Sequence, residues 1–121
     1  MDAARRPAMR DRPTEEVEFR SEAGSEDQAV LVFPDQVDIA NASEVRAHAL
    51  RLLDQGVHSL ELDLTQCRFC DSSGVNVILR SHIRAKALGV HLAVRLPPTG
   101  VVARVCQVAG VTRVVPQAPA R

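Results

Sequence analysis

Two adjacent motifs in the middle of the chain contain the residue types that could carry chemistry. The first is a C-x-x-C spacing at Cys67 and Cys70, whose thiols could cycle between a dithiol and a disulfide. The second is D-S-S-G at residues 71–74, which places two hydroxyl groups at the start of an apolar helical pattern. Asp and Ser are also preferred N-cap residues, so residue type alone leaves a helix cap and a functional serine equally open.

The cysteine motif has the position of a thioredoxin-like redox site, just before a predicted helix. However, no Trp precedes it, and Asp71 and Ser72 follow where an apolar helix would continue. A structural zinc site needs four ligands, and Cys106 with the histidines provides no second paired spacing. The sequence therefore predicts no metal and no cofactor, with Cys67 and Cys70 as small buried hydrophobic residues. A thiol oxidoreductase using these two cysteines stays open as an alternative.

Composition excludes several classes of protein. The 121 residues include 15 Lys and Arg balanced by 15 Asp and Glu, whereas nucleic-acid and membrane-surface binding usually require a net basic patch. Aromatic residues make up only 2%, which argues against binding single strands by base stacking. No run approaches the roughly 20 apolar residues of a membrane span, and three cysteines do not suit a secreted disulfide framework. The sequence predicts a cytoplasmic protein that binds neither nucleic acid nor membrane.

The four histidines do not form a recognisable catalytic arrangement. His82 lies near the apolar face of a predicted helix and is interpreted as a residue at the edge of the core. His48, His58 and His91 are expected on the surface. Neither G-x-x-x-x-G-K-[ST] nor G-x-G-x-x-G occurs, and no Ser-His-Asp order is supported. We therefore predict no catalytic residue and a protein that is not an enzyme.

Short apolar patterns predict the strands. Val17 and Phe19 alternate with charged residues as in a first edge strand, and a turn is expected over 21–27. An unbroken apolar run too short for a helix indicates a strand buried on both faces. Two further strands are predicted from strict alternation. These three strands cover residues 29–33, 59–64 and 90–96.

Three helices are predicted from apolar stripes with start and stop signals. The first begins at Asn41, where Glu44 lies three residues on as in a capping box. The second begins after Asp71, and Pro97-Pro98-Thr99 opens the third. The three predicted helices end at Gly56, Gly89 and Gly110. On the second helix, the residues expected to face the core are Val75, Ile78, Leu79 and His82 or Ile83, and those expected to face solvent are Arg80, Arg84 and Lys86. On the third, the apolar stripe comprises Val101, Val102, Val105 and Val108.

The element order β-β-α-β-α-β-α with short connections predicts an α/β fold. It comprises one small domain with a mixed, mostly parallel sheet, an antiparallel entry hairpin and helices packed on the sheet. Residues 1–14 are expected to form a flexible leader, 15–117 the domain and 118–121 a C-terminal tail. Residues 111–115 are expected to form a last short strand or an extended tail.

In this order of elements, the D-S-S-G motif resembles the STAS family, the anti-sigma factor antagonist domain. The family signature places D-S-S-G or D-S-T-G between a strand and an apolar helix, as at residues 71–74. An earlier family pattern, Gly-x-x-Asp before a helix, is matched at Asp38, with Pro34 and Asp35 at the corner where glycine is usual. Cys70 stands where an aliphatic residue is usual. The resemblance covers about residues 15–117 and implies a STAS-like fold.

The resemblance also implies a function. The serine after the aspartate, here Ser72, would accept a phosphoryl group from a partner anti-sigma factor kinase. The unphosphorylated chain would bind that kinase and so release a sigma factor, and a PP2C-type phosphatase would reset the phosphorylated form. The implied partner surface comprises Asp38, Asp71, Ser72, Ser73, Gly74 and Asn76. The alternative within the same fold is a STAS scaffold or sensor in which Ser72 is never modified.

Overall fold

The computed structural model of the chain describes residues 18–21 and 27–119. Within these ranges the elements are β1 (Glu18–Ser21), β2 (Gln28–Val32), β3 (Gln36–Val37), α1 (Ala42–Asp54), β4 (Ser59–Asp63), β5 (Phe69–Cys70), α2 (Ser72–Leu88), β6 (His91–Arg95), α3 (Val101–Val108) and α4 (Val111–Val114). The leader predicted for residues 1–14, Val17, and most of the turn predicted for 21–27 lie outside the described residues.

The main sheet has four strands in the order β1-β2-β4-β6. β1 is antiparallel to β2, and β2, β4 and β6 run parallel to one another. The mixed, mostly parallel sheet with an antiparallel entry hairpin is therefore confirmed. The apolar run that predicted β2 is buried on both faces, since each residue from Ala29 to Phe33 is at most 8% exposed.

A second, very small sheet pairs β3 with β5 in parallel. Gln36 lies opposite Phe69, and Val37 lies opposite Cys70. Sequence reasoning missed both strands, because two residues are too few to show the alternation that marks a half-buried strand. Along the chain, β3 is followed by α1 and β5 is followed by α2, and these two helices form the candidate site.

Helices α1 and α2 pack against each other beside the main sheet. The apolar stripe predicted for α1 supplies the core residues Val45, Ala49 and Leu53, each at most 1% exposed. α2 contributes its buried side chains from a slightly different face than predicted, because Ser81 and Ala85 are buried whereas Ile83 is 66% exposed. The Ser81 hydroxyl is tolerated there because it donates to the carbonyl of Val77 at 2.7 Å.

The prediction of a strand or extended tail over residues 111–115 was wrong, because Val111–Val114 form the helix α4. Gly110 adopts a left-handed conformation with φ 85°, which lets the chain turn from α3 directly into another helical turn. Val111 and Val115 are both buried at helical spacing, and the Val115 N–H donates to the Val111 carbonyl at 2.8 Å. Extended pairing begins only later, where the Ala118 N–H donates to the carbonyl of Val94 at 2.8 Å.

The prediction of His48 on the surface was also wrong, because this side chain is buried on α1. Arg51, one turn later, donates from Nη1 to Nδ1 of His48 at 3.1 Å. Arginine can only donate, so a bond to Nδ1 favours the neutral imidazole, in line with the lowered pKa of His48. The apolar stripe predicted for α3 also differs, since Val101 and Val108 are 54% and 78% exposed while Val102 and Cys106 are buried.

None of the helices in the described ranges combines the length and the apolar composition needed to cross a membrane.

Candidate functional site

The small β3-β5 sheet brings the two motif aspartates to one edge of the molecule. Asp38 follows β3 directly, and Asp71 follows β5 directly. The two strands are parallel, with Val37 opposite Cys70, and the Asp71 N–H donates to the Val37 carbonyl at 3.3 Å. Both aspartates therefore stand at the same carboxyl edge, just ahead of the helices α1 and α2.

Asp71 is the N-cap of α2. Its Oδ1 accepts the backbone N–H of Ser73 at 2.8 Å, and its carbonyl accepts the N–H of Gly74 at 3.0 Å. The residue is extended, with φ −108° and ψ −162°, as N-cap residues usually are. The helix-cap interpretation of this aspartate is thus confirmed, and its carboxylate holds the first turn of α2 in place.

Ser72 is the first residue of α2 and is exposed. Its hydroxyl makes no hydrogen bond with any described residue, and the capping bond beside it runs from the N–H of Ser73 to Oδ1 of Asp71. Ser73 is half-buried, and Asn76 is exposed one turn further along the same side of the helix. The structure therefore presents the Ser72 hydroxyl to solvent at a capped helix end.

Gly74 is buried and lies against the small sheet rather than in solvent. A Cβ at this position would lie 2.8 Å from Cβ of Cys70 and 3.4 Å from Cγ1 of Val37. Real Cβ atoms do not approach another carbon as closely as the first of these distances. The glycine lets α2 start directly on top of the β3-β5 pair and so helps to place Ser72.

Asp38 organises the loop that leads into α1. Its Oδ1 accepts the N–H of Ala40 at 2.9 Å, and its carbonyl accepts the N–H of Ala42 at 2.8 Å. Its Oδ2 accepts Nε2 of Gln36 at 2.6 Å. Both carboxylate oxygens are thus used within the loop. Asp38 supports the site by fixing the shape of this corner.

The capping box predicted for Asn41 and Glu44 does not form. Asn41 is the N-cap residue of α1, but its side chain makes no capping hydrogen bond. Instead its Oδ1 accepts the N–H of Asp38 at 3.0 Å and its Nδ2 donates to the carbonyl of Gln36 at 2.8 Å. The side chain is turned back into the loop because that loop has backbone groups of its own to satisfy.

A shallow depression of about 440 Å³ lies between the starts of α1 and α2. It is lined by Ile39, Ala42, Ser43, Arg46, Ser72, Ser73, Asn76 and Val77. Ser72, Ser73 and Asn76 of the predicted surface meet here, whereas Asp38, Asp71 and Gly74 do not line the depression and act through the loop and the cap. Sequence reasoning missed Ile39 and Arg46, because nothing in the sequence shows that α1 and α2 start side by side.

The three cysteines are free thiols and buried, as predicted for Cys67 and Cys70. Burial raises the pKa of Cys67 to about 11, and its thiol donates to the Phe69 carbonyl at 3.3 Å. A hydrogen bond with Cys106, together with burial, raises the pKa of Cys70. A redox-active C-x-x-C motif needs an accessible thiolate of low pKa, so the structure gives no support to the oxidoreductase alternative. In the ranges 18–21 and 27–119, no three His, Cys, Asp or Glu residues are grouped to hold a metal ion.

The fold resembles several solved structures. The anti-sigma factor antagonist SpoIIAA in its unphosphorylated form is 21% identical and has a TM-score of 0.68, with 84% of this chain and 89% of that chain covered. A putative anti-sigma factor antagonist from Thermotoga maritima is 20% identical with a TM-score of 0.73, covering 89% and 90% of the two chains. The phosphorylated form of SpoIIAA from Bacillus is 20% identical with a TM-score of 0.62, covering 84% and 92%. No curated protein is significantly similar in sequence.

A small α/β domain with this sheet, in which a D-S-S-G motif caps the helix that follows β5, defines the class as a STAS domain. Residues 21–116 match the family model described as "Mlab, STAS domain", which is most of the chain. The chain therefore belongs to this STAS family.

Proposed function

We propose that the chain is an anti-sigma factor antagonist that acts in the cytoplasm. In its unphosphorylated form it binds an anti-sigma factor kinase and thereby releases a sigma factor. Phosphorylation of Ser72 ends that binding, and a PP2C-type phosphatase restores it. The observation that carries the proposal is Ser72 itself, which stands exposed at the first turn of α2, with its hydroxyl unengaged by described residues, in a STAS fold.

The chain serves as the substrate of the phosphoryl transfer. The Oγ of Ser72 attacks the γ-phosphorus of ATP held by the kinase, and the bond to the β,γ-bridging oxygen breaks so that ADP leaves. The hydroxyl proton passes to a base of the kinase. Oδ1 of Asp71 accepts the N–H of Ser73, so this carboxylate holds the acceptor turn in place.

The added phosphate changes the charge at the centre of the surface. It brings about −1.5 to −2 charges and three strong acceptor oxygens to the end of α2. A partner surface that is complementary to the neutral hydroxyl then meets repulsion and a desolvation cost. Phosphorylation therefore weakens binding without any change in the fold of this chain.

The test is phosphoryl transfer from a candidate anti-sigma factor kinase. Incubation with that kinase and ATP should add one phosphoryl group, detected by intact-mass spectrometry and located on Ser72 by fragmentation. Ser72→Ala should abolish the transfer, whereas Ser73→Ala, one residue along the same turn, should retain it. Transfer to another residue, or none from any candidate kinase, would leave the scaffold function as the better description.

A further inference from the structure

The depression beside Ser72 continues along the boundary between α1 and α2. A second open cavity of about 580 Å³ follows it and is lined by Arg46, Leu50, Arg80, Ile83, Arg84 and Ala87. Arg46 lines both cavities, so they form one groove between the two helices. We refer to the residues that line either cavity as the α1–α2 groove.

The length of the α1–α2 groove suits a helical ligand. The positions of α2 that line it run from Ser72 to Ala87. At about 1.5 Å per residue they span roughly 22 Å, which is about four turns of helix. A groove between two side-by-side helices is concave, and amphipathic helices commonly dock into such grooves.

The charge on the α1–α2 groove has one sign. Three arginines line it, and no carboxylate does. Arg84 forms an ion pair at 3.0 Å with Asp54, beyond the groove. Arg46 and Arg80 form no ion pair with any residue in the described part of the chain. Two cations on the α1–α2 groove are therefore available to an acidic ligand.

Two isoleucines stand exposed along the same groove. Ile39 is 85% exposed near Ser72, and Ile83 is 66% exposed about three turns of α2 further along. Leu50 and Ala87 add smaller apolar surface between and beside the arginines. This pattern of apolar residues among cations fits a ligand that is apolar on one side and acidic at its flanks.

We propose that the α1–α2 groove binds an acidic amphipathic helix of a partner protein. The apolar side of the helix covers Ile39 and Ile83, and its flanking carboxylates pair with Arg46 and Arg80. Ser72 lies at one end of this groove, next to the part lined by Arg46. A phosphate there has the same sign as the docked helix and competes for Arg46. The role given to Ser72 rests on the proposed function, whereas helix binding itself does not.

A peptide titration tests helix binding without any kinase. The probe is a 16-residue capped peptide with Leu at i, i+3, i+4 and i+7 spacing and Glu flanking the Leu face. The control peptide has Lys in place of every Glu. The full chain, labelled with ¹⁵N, is titrated with each. We expect amide shifts confined to α1 and α2, at least tenfold tighter binding of the Glu peptide, and weaker binding as salt is raised.

Matched variants separate the groove from general effects of charge or apolar surface. Arg80→Glu should weaken binding of the Glu peptide by tenfold or more, whereas Arg104→Glu, at an exposed position of α3, should not. Ile83→Gln should weaken it, whereas Val108→Gln, at a residue 78% exposed on α3, should not. Circular dichroism of each variant checks that it folds.

Several outcomes would overturn the proposal. These are no binding of the Glu peptide at millimolar concentration, equal affinity for the Lys peptide, or shifts that map away from α1 and α2. Tighter binding of phosphatidylglycerol vesicles than of the peptide, lost in Arg80→Glu, would make the groove a membrane site instead. Self-association that covers the same amides would make it a dimer interface.

Phosphoserine installed at position 72 by nonsense suppression tests the link to the switch. We expect it to weaken peptide binding at least fivefold, and unchanged affinity would refute that link. If the peptide binds but no kinase modifies Ser72, the proposed function fails while the groove stands. If Ser72 is phosphorylated but the peptide does not bind, the reverse holds.

Discussion

Gly74 and Cys70 approach each other so closely that no side chain fits between them. A Cβ on Gly74 would lie 2.8 Å from Cβ of Cys70, on the strand that precedes the helix. The D-S-S-G motif therefore divides into separate roles. Asp71 caps α2 and Gly74 lets the helix start against the small sheet, and both leave the Ser72 hydroxyl exposed.

Gly74→Ala should destabilise the domain. Overpacking usually costs about 1–3 kcal/mol, and the better helix propensity of alanine returns at most about 1 kcal/mol. We expect the free energy of unfolding in urea to fall by up to about 2 kcal/mol on these two estimates. Asn76→Ala, at an exposed position of the same helix, should change it by less than about 0.5 kcal/mol.

A double-mutant cycle identifies the contact responsible. In Cys70→Gly the opposing Cβ is removed, so Gly74→Ala should cost less in that background than in the native one. An equal cost in both backgrounds would show that Cys70 is not what excludes a side chain at position 74.

Asp71→Ala should remove the cap of α2. The Ser73 N–H would lose its partner at 2.8 Å, and such losses cost about 0.5–2 kcal/mol. Asp71→Asn keeps a side-chain acceptor and should retain most of the stability, as thermal unfolding of the two variants can show. Equal loss in both variants would mean that the negative charge matters more than the hydrogen bond.

The sequence was sufficient for the elements that contain a long periodic signal. β2 follows from one apolar run, and α2 from an N-cap at Asp71 and a stop at Gly89, which adopts the left-handed conformation with φ 72° that a helix C-terminus favours. D-S-S-G in its order of elements was also enough to place Ser72 at an exposed helix start.

What the sequence could not show depends on contacts between distant segments. β3 and β5 exist because Val37 and Cys70 meet across the chain, and no local pattern records that pairing. The groove residue Arg46 was missed because only the tertiary fold sets α1 beside α2. His48 was predicted on the surface because histidine is polar. It lies three residues after Val45, however, on the buried face of α1.

The buried His48 should make the domain less stable in mild acid. Burial and then the nearby Arg51 charge lower the pKa of His48 from its ordinary 6.5 in the folded chain. As the pH falls below 6.5, His48 of the unfolded chain gains a proton more readily than His48 of the folded chain. The free energy of unfolding therefore falls as the pH drops. Urea unfolding from pH 7.5 to 5.5 should show a smaller fall for His48→Gln than for the native chain.

The range above pH 7.5 provides the control. There His48 is neutral in both folded and unfolded chains, so the difference in stability between the native chain and His48→Gln should be constant. Parallel curves across the whole range down to pH 5.5 would show that His48 does not cause the acid sensitivity.

Cys67 should react slowly with alkylating agents while the domain is folded. Burial raises its pKa from 9.0 to about 11, so at pH 8 the thiolate is about a hundredfold scarcer than in an unfolded chain. Iodoacetamide labelling followed by mass spectrometry, with and without urea, measures the ratio. Rapid labelling of the folded chain would show an accessible thiolate and revive the redox alternative for Cys67 and Cys70.

Ser72→Asp should weaken partner binding without weakening the fold. A carboxylate at the first position of α2 interacts favourably with the helix dipole, which is worth about 0.3–1 kcal/mol, so thermal stability should be unchanged or slightly raised. The same charge lies on the proposed partner surface, so affinity for the anti-sigma factor kinase should fall. Asn76→Asp is the matched control, since it adds one charge to the same depression a turn away. If the two variants bind the kinase equally weakly, the position of the charge at residue 72 has no special role. Any negative charge in this depression would then weaken binding to the same extent.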